Sequence, residues 1–251
     1  MRSIGPHEYF YLRYVYLSDG ENMLEYVIQH LCFTGALDLH YWKVQAHPND
    51  PHRVVRLYLS RATTSTPASA AEAFALDLFP KDHAIHLGEL RHIMKQQVTD
   101  TEAFKFDMVR KDLMEAGLLR FTYWASAAGR IASRRVKQQL KAFEHDPEGM
   151  FNSAPKDLDA RLDELGSNVV LFGNDMRDRL KKVTGRTPDL AAVFSIEKFM
   201  EAGGVFDDPN SVGGLSFGGG GFGGGFGGGF SGGFGGFGGG GFGGGGAGGS
   251  W

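Results

Sequence analysis

Gly214-Leu215-Ser216-Phe217-Gly218 matches the G-x-S-x-G pattern of a nucleophile elbow. That motif works only when a strand enters the serine and a helix leaves it, so that the turn is held strained. Here the match opens a glycine-rich coil and predicts no nucleophile. A G-x-G-x-x-G match from Gly219 onward falls the same way, because a phosphate cradle needs backbone amides fixed at a helix N-terminus. His83, His86 and His92 lie close in sequence, but spacings of three and six do not put all three on one helical face. No cysteine or paired carboxylate completes a metal set, so surface or core histidines are expected. Asp157, Asp159, Asp163 and Glu164 around Arg161 read as a solvated helix face. No catalytic residue, cofactor site or metal site is expected.

The strongest binding signal is a helix expected to begin at about Arg130, just after Gly129. Arg130, Arg134, Lys137 and Lys141 follow spacings of four, three and four, which align them in one narrow stripe. Val136, Leu140 and Phe143 take a different, apolar side, and Arg135 adds a fifth positive charge. Such a stripe suits an acidic protein surface, a nucleic acid or an anionic lipid, or simply a solvated face.

The elements that must position this stripe occupy only part of the chain. From Gly213 to Trp251 there is no Asp, Glu, Lys, Arg or His, so all 26 basic and 29 acidic residues lie before it. A net charge of -3 argues against a phosphate backbone held along the whole surface. Cys32 is the single cysteine and sits in the apolar run Val27 to Phe33, which predicts a buried, inert thiol. The start, Met1 to Glu8, has no long apolar core after a basic residue, so no signal peptide is expected. No stretch approaches the ~18–20 apolar residues of a membrane span. The expected location is the cytoplasm, with any membrane association made through a partner.

Four segments are expected: 1–62, 68–124, 125–210 and 211–251. In the first, Pro6 to Leu17 is dense in aromatics, which suits a mostly buried helix and leaves a strand as the alternative. Ser18-Asp19-Gly20 breaks it. Met23, Leu24, Val27, Ile28, Leu31 and Cys32 then mark a second helix that stops at Gly35. Leu37 to Trp42 and Arg53 to Leu59 have strand character, with a turn cluster at residues 47–51 between them. Two helices leading into a hairpin fit a winged-helix pattern.

The second segment has a similar order. Ala70 to Phe79 is helical, Ala84 to His86 a short strand, and Leu87 to Gln96 a second helix. Thr99 and Glu102 stand at capping-box spacing for a third helix, with Phe106, Val109, Leu113 and Ala116 as its buried stripe and Gly117 as its stop. Leu118 to Trp124 supplies a strand. The third segment reads as helical throughout: Ser153 before Pro155, the apolar positions Leu158, Leu162 and Leu165, and a Thr187-Pro188 start for a last helix ending at Gly203-Gly204.

About 26 of the 39 residues from Gly213 on are glycine, interrupted by Phe217, Phe222, Phe226, Phe230, Phe234, Phe237 and Phe242. Glycine loses the most backbone freedom on ordering, and no continuous apolar face offsets it, so a disordered tail is expected. As a flexible coil it would span ~30–35 Å root-mean-square. Regularly spaced rings on a solvating spacer, closed by Trp251, suit weak self-association or docking.

The Ser18-Asp19-Gly20 break, the helix Met23 to Phe33 and Gly35-Ala36-Leu37 resemble the first unit of a bacterial family of uncharacterised predicted membrane proteins. That family carries winged-helix-like cytoplasmic units and a Gly-rich tail ending in Trp. Asn168-Val169-Val170-Leu171-Phe172-Gly173 is similar to its short apolar signature, and Gly248-Gly249-Ser250-Trp251 to its terminus. The resemblance implies tandem winged-helix-like units and brings no accepted activity with it. No counterpart of that family's N-terminal extracytoplasmic domain and membrane spans is expected here.

The fold class expected is therefore α+β: tandem winged-helix-like units, a helical C-terminal segment and a disordered Gly/Phe tail. Winged helices bind either DNA or proteins. The charges on the presumed third helix of the second unit (Glu102, Lys105, Asp107, Arg110, Lys111, Asp112, Glu115) nearly cancel, which disfavours a phosphate-facing role. The leading expectation is a non-enzymatic protein-interaction or assembly adaptor using the tail for self-association or docking. The alternative is a nucleic-acid-binding protein using helix 130–141.

Overall fold

The computed structural model describes residues 3–16, 20–45, 53–97, 101–121, 123–152, 155–182, 190–201 and 205–207. All belong to one compact unit, Met1–Ser216. The turn cluster at 47–51, Thr99, Ser153, Thr187-Pro188, Gly203-Gly204 and the Gly/Phe tail fall outside them.

Helix α1 (Pro6–Tyr14) starts at a proline that needs no hydrogen-bond partner, and the Glu8 carboxylate accepts the Gly5 N–H at 2.9 Å. It buries Tyr9 and Tyr11 but leaves Tyr16, just past its end, 77 % exposed. Helix α2 (Gly20–Phe33) is the central element, with Met23, Leu24, Val27 and Ile28 fully buried. It ends as the sequence predicts. Gly35 takes φ +74°, and the N–H groups of Ala36 and Gly35 return to the carbonyls of Leu31 and Cys32. Burial pushes the Cys32 thiol well above its ordinary pKa, which keeps it protonated and inert.

Strands β1 (Leu37–Gln45) and β2 (Arg53–Arg61) pair antiparallel, with Leu37 opposite Arg61 and Gln45 opposite Arg53. Leu37, Leu57 and Leu59 face the core; His40, Trp42 and Tyr58 take the other side of the pleat. Helix α3 (Ala70–Asp77) is capped by Ser69, and strand β3 (Ile85–His86) leads into helix α4 (Leu87–Gln97). β3 pairs with β2, so the short strand of the second segment joins the first segment's sheet.

Helix α5 (Thr101–Ala103) runs into a π-helical stretch, Phe104–Val109, and then helix α6 (Arg110–Glu115). This alters the expected buried stripe. The wider turn carries Phe104 and Lys105 inward, to 3 % and 4 % exposure, beside Val109 and Leu113. Phe106 is left half-buried under the cations of Lys105 and Arg110, 4.8 and 5.6 Å from its ring. Gly117 ends the helix at φ +69°, repeating the closure seen at Gly35.

Three further expectations are corrected. Leu118 to Trp124 is not one strand but a hairpin, β4 (Leu119–Phe121) and β5 (Trp124–Ala125). The basic helix begins three residues early: α7 (Ala127–His145) is capped by Ser126, whose hydroxyl accepts the Gly129 N–H at 3.0 Å. Gly129 lies inside the helix, where the Leu118 carbonyl oxygen leaves no room for a side chain: a Cβ built there would stand 2.1 Å from it. The third segment is also not helical throughout. After α8 (Pro147–Asn152) and α9 (Pro155–Leu165) comes a 3-10 turn, Gly166–Leu171. Then follow α10 (Asn174–Leu180), α11 (Leu190–Glu201) and strand β6 (Val205–Asp207). β6 pairs antiparallel with β2 at Val54–Arg56, making the sheet four-stranded.

One apolar core runs from Ile4 to Ile196 and takes side chains from all three segments before the tail. The fold is α+β, helices around two small antiparallel sheets. Among the described residues no helix is long and apolar enough to cross a membrane.

Candidate interaction surfaces

Helix α7 buries Val136, Leu140 and Phe143, which fixes the direction of the expected stripe. Arg130, Arg134, Arg135 and Lys141 are exposed, and Lys137 is half-buried. The Arg130 guanidinium donates to the Ala125 carbonyl at 3.0 Å, tying the stripe to the base of the hairpin. The charge of Arg13 on α1 is the main cause of a lowered pKa at Lys137, with burial and then Lys141 adding to it, so α1 and α7 bring three cations together.

Beside these cations lie aromatics that the sequence reading gave only as part of a strand. Phe121 and Trp124 stand opposite each other in the hairpin register, hence on one face, and are 67 % and 72 % exposed. Tyr123 meets Tyr16 with ring centroids 5.3 Å apart and Phe106 edge-on at 6.1 Å. The signal was present in Arg120-Phe121-Thr122-Tyr123-Trp124, where three rings and an arginine fall within five residues. Hairpin, end of α1 and α7 form one aromatic and cationic belt.

A second surface is the outer face of the four-stranded sheet. His40 and Trp42 stack at 6.1 Å, Trp42 meets Tyr58 at a tilt with centroids 4.3 Å apart, and Tyr58 meets His86 at 5.4 Å. His40 Nε2 is 2.8 Å from the Ser60 hydroxyl. Trp42 is 47 % exposed.

The other histidines separate. His83 is exposed and bonds Asp82, whose pKa is lowered chiefly by that hydrogen bond; His92 is exposed on α4. Among the described residues no three His, Cys, Asp or Glu side chains are grouped as metal ligands. Asp157, Asp159, Asp163 and Glu164 are exposed on α9, while Leu158, Leu162 and Leu165 are buried. Phe217, Phe222, Phe226, Phe230, Phe234, Phe237, Phe242 and Trp251 lie outside the described residues.

Sequence reading also missed a buried polar cluster. His30 Nδ1 is 2.6 Å from the Ser167 hydroxyl, and His30 Nε2 is 3.4 Å from Glu72 Oε1. The His7 ring stands edge-on at 5.7 Å from His30, and Asn168 donates to the Ile4 carbonyl at 2.9 Å. Hydroxyl, imidazole and carboxylate follow the order of an acyl-transfer triad. Ser167, however, is only 7 % exposed, and the three groups come from the 3-10 turn, α2 and α3. The cluster acts as a polar clasp between distant segments. Burial raises the Glu72 pKa, but the hydrogen bonds from His30 and the Ala68 N–H outweigh it, and the net shift is downward. A carboxyl whose pKa is lowered by folding contributes stability above its unfolded pKa, ~4.3, and loses it as pH falls through the folded value. Denaturant midpoints from pH 6 downward are therefore expected to drop less steeply in Glu72→Gln than in the parent; parallel curves would count against the clasp.

No family model, no curated protein and no solved structure matches the chain.

Proposed function

We propose that this chain is a non-enzymatic interaction and assembly protein: the folded body contacts a protein partner and the Gly/Phe tail supplies self-association or docking. The observation that carries this reading is the outer sheet face, where Trp42 stays 47 % exposed within a row of His40, Tyr58 and His86. Aromatic side chains gathered at the surface, with polar groups at their edges, are the composition of an interface core. The tail adds seven phenylalanines and Trp251 on a glycine spacer, which makes repeated weak contacts available to each copy. The partner-binding body with winged-helix-like units, a cytoplasmic location with membrane association only through a partner, and membership of the family with a Gly-rich tail ending in Trp belong to the same proposal.

Light scattering over a concentration series tests it. The full chain is expected to grow in mean mass with concentration, a chain ending at Asn210 to grow less, and Trp42→Ser to weaken the association that remains. Identical monomers in all three forms at every concentration would remove the support for assembly.

A further inference from the structure

We propose that the belt formed by the β4–β5 hairpin, the end of α1 and the cationic side of α7 binds single-stranded nucleic acid. The rings come first. Phe121 and Trp124 share one face of the hairpin at 67 % and 72 % exposure, and Tyr16 presents a third ring at 77 % beside Tyr123. A ring face left in water is matched by an unstacked base, and every base has such a face. In a duplex those faces are hidden by stacking, so these rings would have nothing to bind there.

The cations come second. Arg130 is anchored at the hairpin base through the Ala125 carbonyl, and Arg134 stands one turn further along α7. Arg13 of α1 stands close enough to act on the charge of Lys137, and Lys141 lies one turn further along α7. These groups follow the rings in one direction, from the hairpin along the α1–α7 seam, as a phosphate backbone follows its bases. Arginine predominates, and its planar guanidinium bonds phosphate in a bidentate manner and stacks on bases. Glu144 of α7 acts on Tyr9 in the same seam, and Glu102 is held by Lys105 at 3.1 Å. Five cations against these two carboxylates leave the strip positive within a chain of net charge -3.

Fluorescence anisotropy of a labelled oligouridylate with the full chain tests this. With about five phosphate contacts, log affinity is expected to fall against log salt with a slope of about -3 to -4. Phe121→Leu with Trp124→Leu leaves the charge unchanged and is expected to weaken binding about tenfold or more. Arg130→Gln with Arg134→Gln is expected to make the slope shallower by about 1.4. Both pairs are exposed, and an unchanged thermal midpoint confirms that each variant is folded. Four results would overturn the inference: no binding at low salt, indifference to the ring pair, equal affinity for the matching duplex, or equal competition by polyglutamate or by phosphatidylserine-containing vesicles. None of these outcomes bears on the scattering series, so the assembly reading is judged separately.

Discussion

Asp112→Ala is expected to lower the stability of the body by about 3 kcal/mol. The Asp112 carboxylate, 6 % exposed on α6, accepts the backbone N–H groups of Ala70 and Ala71 at 2.9 Å each. These are two of the first-turn donors of α3 that no helical carbonyl can satisfy. The Ser69 hydroxyl already takes the Glu72 N–H, so it does not replace them. Negative charge at a helix N-terminus adds to the two bonds, and alanine would leave one buried and one part-buried donor unpaired. Asp112→Asn keeps one acceptor and is expected to fall between parent and alanine. Urea midpoints at constant slope measure the difference. A loss under ~1 kcal/mol would mean that water reaches these amides and the carboxylate matters little.

Gly129→Ala is the second large effect, and its sign opposes intrinsic propensity. Alanine in a helix interior is normally better than glycine by ~1 kcal/mol. Here its Cβ would stand 2.1 Å from the Leu118 carbonyl oxygen, a backbone atom that cannot rotate away. The same oxygen accepts the Ser126 N–H at 2.9 Å, so α7 must either shift or break its own start. A net loss of ~2–4 kcal/mol is expected, as for other overpacked sites. Hydrogen exchange locates the damage: the Ser126 and Gly129 amides should lose protection while α2 keeps its own. A variant as stable as the parent would show that hairpin and helix separate freely.

Those two positions illustrate what can and cannot be read from sequence. Helix ends at Gly35 and Gly117 were legible because a left-handed closure is a local requirement that glycine meets best. The face of α7 was legible because its period is local too. Gly129, by contrast, reads locally as a breaker, and only the packing of Leu118 shows that a side chain would not fit there. The π-helical turn at Phe104–Val109 moved the buried stripe because a 3.6-residue period cannot anticipate an inserted residue. The His30–Ser167 contact joins residues 137 apart, and the pairing of β6 with β2 is more distant still. Neither leaves a periodic trace. The exposed rings were missed for another reason: aromatic density predicts burial on average, and an interaction surface is where the average fails.

The pairing of β6 with β2 also bears on how the chain is made. β1, β2 and β3 are complete by residue 86, but the strand that covers Val54–Arg56 is not synthesised until residue 205. Ribosomes add ~5–20 residues each second, so that stretch of β2 waits on the order of 10 s for its partner. During the wait its unpaired amides and carbonyls form an open edge.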